Sequence, residues 1–189
     1  MHKNFNFKKK NGIFFFITGL PGSGKSSIAK KIMPKIQKNF GKTVLFHGDE
    51  IRKIFSLNKY SSTDRRKIAL QYVKLCKKLT KNNINVILAT VSLFDSIRNW
   101  NKKNFKNYIE IYIKADLKKI IKSKKKFFYK KETKNVVGLS IKPEYPKKPN
   151  IKIKNDLKED LNKLSKTLYH KIIKLNLKIY KYNAKFEYF

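Results

Sequence analysis

The sequence predicts an α/β fold: a mainly parallel sheet of about five strands with helices on both faces. Short, almost wholly apolar runs recur along the chain, as buried parallel strands require. Amphipathic segments of helical length lie between them, and glycine-rich or polar turns separate the two kinds of segment. Strand and helix alternating in this way place helices on both faces, with ligands expected beyond the carboxyl ends of the strands.

The first strand is expected over Ile13 to Thr18, after a frayed start at Met1 to Asn11. Gly19 to Ser26 then turns the chain into a helix over Ser27 to Asn39, which Pro34 is expected to kink or shorten. Gly41 punctuates, Thr43 to Phe46 forms a second strand that ends at Asp49, and Ile51 to Phe55 follows the Gly48-Asp49 turn. Ser62 or Thr63 is placed to cap a long helix that carries Ile68, Tyr72, Leu75 and Leu79 on one side. A third strand at Asn85 to Val91, a helix at Asp95 to Phe105, a strand at Tyr108 to Ile113 and a helix from Asp116 continue the alternation. Residues 122–149 are first densely basic and then rich in proline, with Pro143, Pro146 and Pro149, and read as a lid. Ile151 to Ile153 is the last strand and Leu157 to Ile173 a closing helix. One domain over 1–189 is expected, its core at about 12–173, and 174–189 is left unassigned.

The charge is extreme: 47 basic against 12 acidic side chains in 189 residues, a net +35. With 41% hydrophobic residues the chain still has material for a core, which excludes global disorder. Basic surfaces attract nucleic acid, yet only Arg52, Arg65, Arg66 and Arg98 are arginines. Lysine and asparagine share A/T-rich codons, so a biased genome accounts for the charge and a nucleic-acid partner is not expected. The single cysteine, Cys76, excludes an internal disulfide and a thiolate metal cluster, which suits the cytoplasm. No segment approaches the roughly 18 apolar residues of a membrane span. The sequence leaves a homodimer open.

Gly19-Leu20-Pro21-Gly22-Ser23-Gly24-Lys25-Ser26 fits the phosphate-loop pattern of Gly, four residues, Gly, Lys and Ser or Thr, and Ser27 extends it. Glycines let the backbone wrap closely so that N–H groups point at phosphate oxygens, and the helix that follows adds its dipole. Lys25 is placed to reach the β and γ phosphates of ATP, and Ser26 to ligate Mg²⁺. Asp49, beyond the second strand, is a candidate base for an attacking hydroxyl. The third strand ends without the acid of many ATP-hydrolysing motors, which favours a small-molecule kinase. In so lysine-rich a chain, Arg52, Arg65 and Arg98 mark places where a planar fork is needed on the ligand side. Arg66 reads as a solvated neighbour, and Cys76 and Trp100 as packing residues.

Together these segments resemble the adenylylsulfate kinase family, which has the P-loop NTPase fold. Gly19 to Ala29 matches its first motif, Gly48 to Arg52 its Gly-Asp-x-x-Arg segment, and Tyr60 to Arg65 its aromatic-Ser-x-x-Asp-Arg loop. Val91-Ser92, Lys126 to Lys131 and Asn135 to Pro149 continue the likeness in order. The resemblance implies transfer of the γ-phosphoryl of ATP to the ribose 3′-hydroxyl of adenylyl sulfate. By it, Asp49 is the base, Arg52 and Arg65 hold the acceptor nucleotide, Tyr60 stacks on its base, Ser92 lines the pocket and Lys126 sits in the lid. The chain departs from the family pattern at His47, Ile68, Leu93, Lys124 and Phe127, mostly on the acceptor side. Ile68 stands where an acceptor-binding asparagine is expected. Trp100 to Lys114 and the Asn-Val-Val-Gly stretch look like a subgroup that phosphorylates other nucleotide-linked acceptors, for example a cytidine diphosphoramidate, and this is the first alternative. A nucleic-acid-binding protein with a degenerate nucleotide fold is the second.

Overall fold

The computed structural model describes residues 11–123 and 134–183. A five-stranded sheet in the order β2-β3-β1-β4-β5 forms its centre, and every neighbouring pair is parallel. The strands are β1 (Phe14–Thr18), β2 (Thr43–His47), β3 (Asn85–Thr90), β4 (Tyr108–Lys114) and β5 (Ile151–Lys154). The helices are α1 (Lys25–Phe40), α2 (Gly48–Ile54), α3 (Ser62–Lys81), α4 (Asp95–Asn104), α5 (Leu117–Lys122) and α6 (Leu161–Asn183).

β1 is buried at all five positions and shows how the apolar runs are used. Successive side chains point to opposite faces of a sheet. Phe15 and Ile17 accordingly join Ile28, Ile32 and Ile36 of α1 and Leu164, Leu168 and Ile172 of α6. Phe14 and Phe16 enter the opposite layer with Ile68, Tyr72 and Val73 of α3 and Ile97 of α4. Cys76 is buried in that same layer. Trp100 meets Phe105 edge-on, a packing role as expected.

Several boundaries differ from the expectation, each for a local reason. α1 runs unbroken through Pro34 for 16 residues. Pro34 lies on the exposed side, where a carbonyl left without its amide partner meets solvent. Asp49 does not end β2 but stands in the first turn of α2. Ser61, and not Ser62 or Thr63, caps α3: its Oγ accepts from the Asp64 N–H at 3.1 Å and donates to the Asp64 carboxylate at 2.6 Å. α6 starts at Leu161 because Leu157 has φ 70° and Asp156 and Asp160 turn the chain with side-chain caps. It continues to Asn183, through most of the stretch left unassigned.

The segment 134–149 has no regular element apart from an isolated bridge between Val137 and Ile141. It is nonetheless packed. Val136, Val137 and Ile141 are buried with Leu20, Leu93, Tyr112 and Ile120 in a third apolar cluster beside the phosphate loop. Lys122 and Ser123 of the expected lid end α5, and its residues 124–133, among them Lys124, Lys126, Phe127, Lys130 and Lys131, lie outside the described residues.

Candidate functional site

The turn between β1 and α1 is shaped for close approach of the backbone. Gly22 and Gly24 have φ of 80° and 89°, the left-handed region that glycine adopts without strain. A side chain at Gly24 would also lie 2.8 Å from Asn155 Nδ2. Asn155 follows β5, is 3% exposed, and donates to the Ser23 carbonyl at 3.0 Å while accepting from the Leu157 N–H at 2.9 Å. One buried amide thus fastens the loop to the far edge of the sheet. Lys25 is also buried, and its ammonium donates to the Leu20 carbonyl at 2.7 Å. Ser26 and Ser27 are exposed in the first turn of α1.

Above this loop opens a cavity of about 680 Å³. Pro21, Gly22, Gly24, Lys25, Ser26 and Ser27 line one side of it, and Asp49, Arg52, Tyr60 and Arg65 another. A smaller cavity of about 50 Å³ adjoins it, walled by Ile68, Ala69, Tyr72, Ser92, Phe94 and Val137. Gly48, Asp49, Arg52, Arg65, Thr90, Val91 and Val137 line both. Asp49 therefore stands between the phosphate loop and the smaller cavity. Gly48 is required beside it, because a Cβ there would lie 2.8 Å from Thr90 Oγ1.

Arg52 and Arg65 converge on Tyr60. Their guanidinium carbons lie 4.6 Å and 5.2 Å from its ring centroid, so the ring is already a platform for two cations. Arg52 donates to the carbonyls of Leu57 at 2.8 Å and Lys59 at 3.0 Å. Arg65 donates to Tyr60 O at 3.0 Å and, across to the strap 134–149, to Asn135 O at 2.9 Å. Burial, and next the like charge of Arg52, lower the pKa of Arg65. Burial also pushes the Tyr72 hydroxyl up to about 12, so it stays protonated; it donates to the Gly48 carbonyl at 3.3 Å. Ser92 is 3% exposed and its hydroxyl has no hydrogen-bond partner among the described residues.

Two arginines depart from their expected places. Arg98 lines neither cavity; it is 3% exposed beneath α4, paired with Asp95 and, at 3.4 Å, with Glu110 of β4. The sheet-facing side of α4 carries Ile97, Arg98 and Asn101, so the helix period turns Arg98 inward. Arg66 is not a free solvated neighbour. It pairs with Glu144, donates to Ser96 Oγ at 3.1 Å, and lies 4.4 Å from the Phe94 ring centroid.

Sequence reasoning missed Thr90, Asn135, Val136 and Asn155 as lining residues. Thr90 and Asn155 end or follow strands at the carboxyl edge, the place where the fold rule puts ligand contacts. Among the described residues no helix is long and apolar enough to cross a membrane, and no group of three or more His, Cys, Asp or Glu side chains is placed to hold a metal ion.

A parallel sheet, a glycine-rich loop opening a helix, and an acid facing that loop across a cavity define a phosphate-loop kinase. The chain belongs to the adenylylsulphate kinase family, whose model matches residues 11–154, and it is a phosphotransferase. It is 35% identical over 167 residues to the cytidine diphosphoramidate kinase of Campylobacter jejuni, covering 85% of this chain and 98% of that protein. It is 30% identical over 151 residues to a probable adenylyl-sulfate kinase of Aeropyrum pernix, covering 75% and 82%. The structure of the Mycobacterium tuberculosis APS kinase CysC, solved with AMPPNP and APS, superposes with a TM-score of 0.75 at 20% identity, covering 86% and 98%, a likeness of fold.

Proposed function

We propose that the chain transfers the γ-phosphoryl group of ATP to a hydroxyl of a nucleotide-linked acceptor, and that the acceptor is a cytidine diphosphoramidate. The observation that carries the kinase reading is the place of Asp49, which lines both the cavity over the phosphate loop and the one beside it. A carboxylate there can take the proton of an acceptor hydroxyl while its oxygen bonds to the γ-phosphorus and the bond to the β-phosphate oxygen breaks. Residues 19–27 hold the triphosphate, with Lys25 leaving the Leu20 carbonyl to meet it. Arg52 and Arg65 meet the acceptor's phosphate groups, whose negative charge offsets the repulsion between the two guanidiniums.

Mg²⁺ fits this site as a nucleotide-borne ion: Ser26 offers a hydroxyl on the cavity wall, and the remaining ligands would come from phosphate oxygens and water. The ion supplies charge neutralisation at the transferred group.

Two observations support the cytidine acceptor over adenylyl sulfate. The Campylobacter kinase is 35% identical to the chain, against 30% for the Aeropyrum protein and 26% for the adenylyl-sulfate kinase of Gloeothece citriformis. Ile68, 7% exposed in the wall of the smaller cavity, stands where the adenylyl sulfate reading expects an asparagine. A hydrogen-bonding site discriminates through its buried polar groups, and exchanging an amide for an aliphatic group removes that recognition. The second reading, adenylyl sulfate, is supported by relatives such as the Aeropyrum protein and the adenylyl-sulfate kinase of Gloeothece citriformis, 26% identical over 174 residues.

Coupled ATP turnover with both acceptors tests this. The expected outcome is a kcat/KM at least about tenfold higher with the cytidine compound, the range that loss of a specific polar contact produces. The opposite preference exchanges the acceptor, and no turnover with any nucleotide acceptor ends the kinase reading.

A further inference from the structure

Glu144 lines neither cavity, yet it ties the strap to α3 and to the chain after β3, both of which carry wall residues. One carboxylate oxygen accepts from Arg66 of α3, and the other from the Asp95 N–H at the start of α4. Its own N–H donates to the Leu93 carbonyl at 3.0 Å. Arg66, held this way, lies against the Phe94 ring. Phe94 and Val137 are both walls of the smaller cavity, and Val137 belongs to the strap 134–149 that Glu144 anchors. The Arg66–Glu144 side chains are 38% and 31% exposed. An ion pair so exposed contributes little to global stability, but its charged hydrogen bonds fix direction and separation.

We infer that Glu144 is a positioning residue for the acceptor: through Arg66 and the start of α4 it sets the distance between Phe94 and Val137. This rests on the reading that the smaller cavity receives part of the acceptor. The carboxylate itself meets no substrate. It acts by keeping the strap seated on α4 and the arginine flat against Phe94, so that the acceptor end is formed before the acceptor arrives.

The test uses the full chain with Glu144→Gln, Arg66→Met and the double variant. Misplacement of a binding wall acts on acceptor binding, so the acceptor KM should rise about tenfold, with kcat and the KM for ATP within about twofold of wild type. The double variant should be no worse than the singles, because both break one link. Independently of any acceptor, the hydrogen-bonded amides of Gly138, Leu139 and Ile141 should exchange faster in Glu144→Gln than in wild type. An unchanged acceptor KM, an equal rise in the KM for ATP, or a loss of folded protein at the assay temperature that accounts for the lowered activity would overturn the inference. If wild type transfers to neither acceptor, the acceptor reading fails, while unchanged amide exchange in Glu144→Gln sinks the inference by itself.

Discussion

The two ends of the candidate site are built differently. The phosphate-loop end is one continuous stretch whose backbone does the binding: glycines with φ of 80° and 89°, a helix N-terminus, and one amide from Asn155 that holds the turn. The acceptor end has no such stretch. Asp49 and Arg52 come from α2, Arg65 and Ile68 from α3, Ser92 and Phe94 from the chain after β3, and Val137 from the strap. A backbone site tolerates side-chain change around it, whereas a site assembled from separate elements can be remade one residue at a time. The acceptor end is therefore the easier one to remake, and Ile68, in its wall, is a departure of that kind, whereas His47 and Leu93 line neither cavity.

The sharpest way to break this contrast is Lys25→Ala. The ammonium serves phosphate oxygens where charge develops, so transfer should fall by about 10³ or more while the fold is retained. Turnover kinetics beside a circular dichroism melt would show it, and substantial activity in the variant would remove the phosphate loop from the chemistry. Asp49→Asn probes the junction of the two ends. Loss of a positioned base should lower kcat by about 10² to 10⁴ with ATP affinity retained; a change confined to acceptor KM would make Asp49 a binding residue instead.

A matched pair of milder variants sharpens the comparison. Asn155→Ala removes a buried hydrogen bond to the Ser23 carbonyl, and should raise the KM for ATP about tenfold, leaving the acceptor KM unchanged. Arg65→Lys keeps charge but loses the fork that spans Tyr60 O and Asn135 O, and should act on the acceptor KM alone by a similar factor. Initial rates with each substrate varied in turn would separate the two effects, and crossed effects would mean that the ends are not independent.

This difference also explains how much was legible in the sequence. The strand order of apolar runs and the phosphate loop are local signals, and the sheet and Gly19 to Ser27 stand where they were expected. Asp49, Arg52 and Arg65 were singled out from their places in the sequence, Tyr60 and Ser92 from the resemblance, and the structure brings all five to the adjoining cavities. Arg98 was misplaced because a strand end predicts proximity to the ligand edge but not which side of the next helix faces the sheet. Glu144 pairs with Arg66 across 78 positions, and no periodicity links two such residues. The proline-rich strap, expected as a lid, has no regular element beyond one bridge, yet three of its apolar side chains, Val136, Val137 and Ile141, are buried against α5 and the phosphate loop.

The smallest effect expected is one of sign, between two carboxylates. At Glu144, burial works to raise the pKa, but hydrogen bonds from Arg66 and the Asp95 N–H outweigh it and hold the carboxyl below its ordinary value. At Glu110, burial dominates over Lys102 and Arg98 and holds the carboxyl above it. A depressed carboxylate stabilises the fold above its unfolded pKa of about 4, and that contribution is lost as pH falls through the lower folded value. A raised one acts oppositely: between the unfolded value and the higher folded value, the folded state binds the proton more tightly, so stability from this group declines as pH rises. Urea unfolding from acid to neutral pH should therefore show Glu144→Gln losing part of the gain in stability that wild type makes on leaving acid. Glu110→Gln should instead remove a decline that wild type shows above the ordinary carboxylate range. If both variants changed the curve in the same direction, the two pairs would not differ in burial and partner strength as the geometry requires.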